Sequence, residues 1–165
     1  MALTTNYDYL QPNGFRVIIS RQHYPNLEFF AQSVIHPGLD MTPAEVAYSR
    51  VNTAMPGDKI LFSPLTITAI LDEDMTSYIE MVNWMQRLVN VKHKAPSSRV
   101  ETTDFASTSD IRIAILTSHN NTNKTVLYKD CFPTNISPIT LEASTGDVAY
   151  ITYTVDFKFT YWQLI

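Results

Sequence analysis

Between Ala149 and Tyr161 the chain places Ile151, Tyr153, Val155, Phe157, Phe159 and Tyr161 at every second position, with Thr152, Thr154, Asp156, Lys158 and Thr160 between them. A period of two belongs to a β-strand with one buried and one wet face, because a helix repeats its faces every three to four residues. The run is longer than the usual ~5 or 6 residues of a strand. It predicts one long strand whose aromatic face packs on an opposing layer while its polar face is solvated or lines a polar space.

Other segments repeat the pattern. Phe15, Val17 and Ile19 alternate through Gly14 to Ser20, delivered by a turn at Pro12-Asn13-Gly14. Leu27 to Ile35 carries apolar groups on both faces, which predicts a strand covered twice. Leu65 to Leu71 alternates with Thr66 and Thr68, and Ile111 to Thr117 turns at Asn120 to Asn123 into Thr125 to Asp130 as an antiparallel hairpin. Pro133 to Ser137 is expected to interrupt the sheet, Ile139 to Glu142 to resume it, and Ser144 to Asp147 to form the last turn.

One helix is predicted, over 77–90. Ser77 and Glu80 have capping-box spacing, and Tyr78, Met81, Val82, Met85, Leu88 and Val89 share one helical face beside Trp84. Asp72, Glu73 and Asp74 suit the positive end of its dipole. In a β-protein such a helix seals an open face of the sheet core rather than forming a ligand groove. The stretch 36–64 holds Pro37, Pro43, Pro56 and Pro64 without sustained periodicity. It reads either as a surface excursion or short hairpin, Glu45 to Asn52 against Asp58 to Phe62, or as an arm that reaches a neighbouring subunit. The stretch 91–110, rich in Ser and Thr, reads as a flexible loop ordered on assembly.

At 165 residues, 45% hydrophobic and 17% charged, the chain is expected to form a single domain, 1–165, with an N-terminal segment at 1–13. A net charge of -4 without any Lys or Arg block argues against a conventional nucleic-acid binder. Cys131 is the single cysteine, and His23, His36, His93 and His119 lack metal-ligand spacing. The four glycines are far apart, so no phosphate loop is present, and no nucleophile sits in a catalytic motif. The expectation is no enzyme and no cofactor. Met1 to Asn13 lacks the basic start and apolar run of a signal peptide, and no stretch is long and apolar enough to span a membrane, which predicts a protein kept in a reducing cytoplasm. Long strands, long loops and no catalytic site suggest a protein whose product is an assembly.

Cys131-Phe132-Pro133-Thr134-Asn135-Ile136, then Ile139 to Glu142, a polar turn and an alternating strand closing on Tyr161-Trp162, resembles the C-terminal pattern of the tail tube proteins of contractile-tailed bacteriophages. The order of elements upstream is similar from Pro12 onward, including Pro37-Gly38, Pro56-Gly57-Asp58 and the Trp84 helix. The resemblance implies a mainly β fold with one principal helix, an antiparallel barrel or sandwich whose subunits join into the continuous inner β-barrel of a hexameric ring. Rings would stack into the inner tail tube, the conduit for genome ejection. The implied partners are further copies of the chain, a tail sheath protein, a baseplate tube initiator and a tail terminator, with phage DNA passing without sequence-specific binding and no membrane contact. The implied location is the virion tail, and host cytoplasm during assembly.

Within that frame Asp156 and Lys158 are candidates to face the lumen, and Tyr7, Tyr9, Val46, Tyr48, Arg50 and Val51 are candidate contacts between subunits. The alternatives are a baseplate tube initiator, a type VI secretion-like tube protein and, more distantly, a small β-barrel that binds an apolar ligand.

Overall fold

The structure is a computed structural model that describes residues 10–19, 24–89, 107–142 and 150–165. The Tyr7 and Tyr9 candidates, the turn at Ser144 to Asp147 and most of the 91–110 loop lie outside the described residues.

The first half of the chain forms β1 (Phe15–Ile18), α1 (Pro25–Phe30), β2 (Ala31–Ile35), β3 (Leu39–Met41), β4 (Ala44–Tyr48), β5 (Val51–Met55), β6 (Ile60–Phe62) and β7 (Leu65–Ile70). It continues through α2 (Thr76–Leu88), β8 (Ser109–Leu116), β9 (Thr122–Ile136), β10 (Thr152–Lys158) and β11 (Tyr161–Leu164). Seven strands make one antiparallel sheet in the order β1-β8-β9-β10-β7-β2, with β11 added to β9. The two short ladders β3-β6 and β4-β5 stand apart from it.

Strand β9 organises the sheet. Its first half pairs with β8 and β11, its second half with β10. Between them Asp130 has φ 56, and the register with β8 shifts between Ser109 and Ile111. A residue in the left-handed region interrupts the pleat and bends the strand, so one strand serves two differently oriented sections.

The core lies under α2. Trp84 is buried, stacks on Tyr24 with ring centroids 4.1 Å apart and meets Phe157 at 5.8 Å. Its indole N–H donates to the Ser107 carbonyl at 3.1 Å. Tyr78 meets Tyr153 edge to face at 5.5 Å. Tyr153, Val155 and Phe157 from β10, with Leu65, Ile67 and Ala69 from β7, are all buried, so the period-two faces of both strands supply the surface that the helix covers.

Five sequence expectations are corrected. Leu27 to Ile35 is a strand only from Ala31; Pro25 opens a helical turn instead. Its fixed φ and missing N–H suit a first turn, and a short apolar run does not distinguish helix from strand by periodicity. Leu27 is fully buried, and Asn26 donates its side-chain N–H to Glu80 of α2 at 2.6 Å, joining the two helices.

Pro133 does not interrupt the sheet, because β9 runs on to Ile136. It stands opposite Phe157, where the ladder with β10 shifts register, so its missing N–H falls at an existing break. Ile139 to Glu142 forms no strand.

The alternating run is not one strand. It divides at Phe159-Thr160, where the Thr160 N–H donates to the Lys129 carbonyl at 3.0 Å and the chain passes from β10 to β11. Beyond that corner the faces exchange: Trp162 packs on the core and Tyr161 is 46% exposed.

The helix start also differs from the capping-box pattern. Ser77 lies inside α2 and is buried, while Glu80 is engaged by Asn26. Met75, at φ 53, precedes the helix without a side-chain cap. Asp72 lies just before the helix and accepts the Thr76 hydroxyl. That hydrogen bond, ahead of the nearby backbone N–H groups, holds its carboxyl below the usual carboxylate value.

Candidate assembly surfaces

The stretch 36–64 is a hairpin built in two sections. At its base Leu39 pairs with Phe62 and Met41 with Ile60; at its tip Ala44 pairs with Met55 and Tyr48 with Val51, closing on Ser49-Arg50. The expected pairing of Glu45 to Asn52 with Asp58 to Phe62 is therefore wrong. Pro43 and Pro56, which carry no N–H, flank the gap between the two ladders. Gly57 crosses that gap so closely that a Cβ on it would lie 2.0 Å from the Thr42 carbonyl oxygen.

This arm has apolar surface and no cover within the described chain. Leu39, Met41, Val51, Met55, Ile60 and Leu61 are each at least half exposed, with Val51 at 71%. Apolar patches of this kind mark interaction sites, since each such side chain gains ~1.5–3 kcal/mol when fully buried. Val46 is exposed beside Thr53, Arg50 is exposed at the turn, and Tyr48 is the last residue of β4.

The second surface is the sheet face turned away from α2. Asp156 sits in a cross-strand row between Thr66 of β7 and Asn135 of β9. Its carboxylate accepts the Thr66 hydroxyl at 2.6 Å and the Asn135 amide N–H at 3.0 Å. Lys158 is exposed two residues on, and Thr152 and Thr154 continue the same face. The wall is therefore rich in hydroxyls, and its carboxylate is already satisfied by neighbouring donors.

The arm meets the body through an aromatic cluster that no local pattern in the sequence reveals. His36 Nδ1 lies 2.5 Å from the Tyr128 hydroxyl, and the His36 ring is edge-on to Trp162 at 5.0 Å. Phe62 contacts Phe159 at 5.5 Å, and Phe159 contacts Tyr128 at 5.2 Å. These five rings come from the two arm roots, β9, the corner and β11, segments far apart in sequence.

Among the described residues no three His, Cys, Asp or Glu side chains group to hold a metal ion. Cys131 is buried, and burial pushes its thiol up to about 12, the opposite of an activated nucleophile. No described helix is long and apolar enough to cross a membrane.

The same architecture occurs in solved injection-machine structures. The chain superposes on a chain of the anti-feeding prophage cap, a tube terminating cap, with TM-score 0.67 and 11% identity, covering 100% of this chain and 95% of that one. It matches a chain of the 6-fold symmetrised anti-feeding prophage baseplate at TM-score 0.65 and 9% identity, covering 99% and 97%. A chain of the sheath-tube complex of an extracellular contractile injection system, PVC, matches at TM-score 0.61 and 14% identity, covering 98% and 95%. No curated protein sequence matches the chain significantly.

The class that the chain's sequence profile defines is that of tail tube structural proteins, which are not enzymes. Residues 3–165 match the profile of the phage tail tube protein family, and the chain belongs to that family.

Proposed function

We propose that the chain assembles into hexameric rings that stack as the inner tube of a contractile tail, and that the tube conducts the phage genome into the host. The observation that carries this reading is the arm, whose apolar side chains are exposed in the single chain and would be covered by another copy. Among the described strands β1 and β2 end the sheet, which supports ring closure, since a ring covers edges that would otherwise pair indiscriminately.

In this arrangement the face bearing Asp156 and Lys158 lines the bore, and Val46, Tyr48, Arg50 and Val51 contact a neighbouring subunit, with Tyr7 and Tyr9 as further contacts. A hydroxyl-rich wall in a protein of net charge -4 would not retain a polyanion in transit. The sheath, terminator and baseplate named for the solved neighbours support a sheath protein, a terminator and a tube initiator as partners. Deleting Thr42 to Thr53 should abolish tubes in electron micrographs and leave a soluble monomer; unaltered tubes would reject the role of the arm.

A second reading, a tube that delivers protein rather than DNA, is favoured by the neighbours' origin in anti-feeding prophage and extracellular injection particles. Imaging the native particle separates the two: a DNA-filled head on the tube supports genome ejection, and a headless particle supports protein delivery. Membership of the tube family sets aside a ligand-binding barrel.

A further inference from the structure

We propose that residues 3–9 of one copy lie as an added β-strand in the groove between β1 and β2 of a neighbouring copy. The inference rests on the assembly proposed above and names the surface that Tyr7 and Tyr9 meet.

The two end strands of the sheet stand on either side of one groove. Among the described strands β1 pairs with β8 alone and β2 with β7 alone, so each keeps one backbone edge unpaired. Phe15 and Val17 of β1 and Ala31 and Val34 of β2 nevertheless line the same groove, of about 530 Å³. A cavity of about 170 Å³, walled by Ile113, Ile115 and Val126, adjoins it at Pro12, Phe15 and Val34. The sheet therefore curls until its ends face each other across a seam with an apolar floor. An extended segment suits such a seam: the strand edges hold its backbone, and the floor takes its alternate side chains.

The sequence supplies that segment. Leu3, Thr5, Tyr7 and Tyr9 occupy every second position, with Thr4, Asn6 and Asp8 between them, the pattern of a strand with one apolar and one polar face. Leu10 and Gln11 stand at the edge of the cavity, so the segment sets out from the mouth of a seam. Fully extended, residues 1–9 span about 30 Å at ~3.3 Å per residue. Lying along the four residues of β1 takes about 13 Å and leaves about 17 Å to cross to the next copy.

The segment's own seam fits it poorly. The Gln11 carbonyl accepts the Gly14 N–H at 3.2 Å, closing a turn over Pro12 and Asn13. A hairpin continued from that turn would set Tyr9 opposite Arg16 and Asp8 opposite Val17. Arg16 is exposed and Val17 is buried, so the tyrosines would face water and the Asp8 carboxylate the core. Nor can the turn become one of the tight hairpin types, which need positive φ at the first central residue; the Pro12 ring holds φ negative. A strand from a second copy is tied to no turn and takes the register that points Leu3, Tyr7 and Tyr9 inward.

The test is cross-linking of full-length chains under assembly conditions. Tyr7→Cys chains are mixed with Ser33→Cys chains, Ser33 being exposed on β2, and treated with a short bismaleimide. A covalent dimer joining the two positions is expected by mass spectrometry, while buried Cys131 stays out of the reaction. The double variant Tyr7→Cys/Ser33→Cys is then diluted into a large excess of parent chain, where its link should vanish; an intrachain link that persists would place each segment in its own seam and overturn the proposal. Combining Tyr7→Asp with Tyr9→Asp should raise the concentration needed for assembly at least about tenfold, as expected for two buried aromatic anchors, and leave the melting temperature of the dilute chain unchanged. Tubes that form without the mixed dimer, or that form from the aspartate variant at the parent's concentration, would overturn the seam contact and leave the arm contact standing. A parent chain that forms no oligomer at any concentration would overturn both.

Discussion

Replacing Trp162 by alanine should destabilise the chain by about 3 kcal/mol, whereas Tyr161→Ala should cost less than about 1 kcal/mol. The alternating pattern in the sequence demands the reverse, since it assigns Tyr161 to the buried face. In the structure the corner at Phe159-Thr160 exchanges the faces: Tyr161 is 46% exposed, and Trp162 packs on the core 5.0 Å from His36. Burying an aromatic side chain removes about 150–250 Å² from water, worth about 4–6 kcal/mol at ~25 cal/mol per Å². Partial exposure reduces that gain for Trp162. So does its buried indole N–H, which has no acceptor among the described residues. Trp162→Phe removes that donor and keeps most of the packing, so it should stay within about 1 kcal/mol of the parent. Urea unfolding of the isolated chain followed by far-UV circular dichroism measures all three, provided the m-values agree. In thermal unfolding the difference of about 2 kcal/mol between the alanine variants corresponds to about 4–8 °C. A Tyr161→Ala variant as damaged as Trp162→Ala would refute the exchange of faces at the corner.

Three further outcomes follow from particular contacts. Burial raises the pKa of Glu80 above its usual 4.5, so its charge opposes folding as pH rises through that interval; Glu80→Gln, which can still accept from Asn26, should raise the melting temperature at pH 7 and lose this advantage in acid. Gly57→Ala drives a Cβ into the Thr42 carbonyl, so limited proteolysis should cut the arm faster while the far-UV spectrum of the body is preserved. Cys131 should resist thiol reagents in the folded chain and react on addition of urea, because a shift from 9.0 to about 12 lowers its thiolate fraction roughly a thousandfold.

Elements defined by a sustained local pattern were legible from the residues. Val17 and Ile19, the buried row Leu65, Ile67 and Ala69, and the row Tyr153, Val155 and Phe157 lie inside as their alternation requires. Met81 and Trp84 face the same core from the helix. What local pattern could not supply was anything decided by a distant partner. The turn at Pro25 is helical because Leu27 and Asn26 meet α2, more than fifty residues away in sequence. Pro133 is tolerated because of a register shift in β10, and the corner after Lys158 exists because β11 crosses to the first half of β9. The candidate surfaces divide in the same way. Exposure of Val46 and Val51 accords with an arm, whereas the cluster at its root joins five rings from five segments with no common motif.

The bend at Asp130 carries a mechanical consequence. Because both sections of the sheet share β9, tension on β10 reaches β8 through peptide bonds as well as through side-chain packing. Pulling the sections apart requires shearing rows of backbone hydrogen bonds together, whereas two stacked, separate sheets could slide over apolar contacts. The soft point is elsewhere, at the short crossing of Phe159 and Thr160, so a subunit under load would flex at its corner before its wall parts.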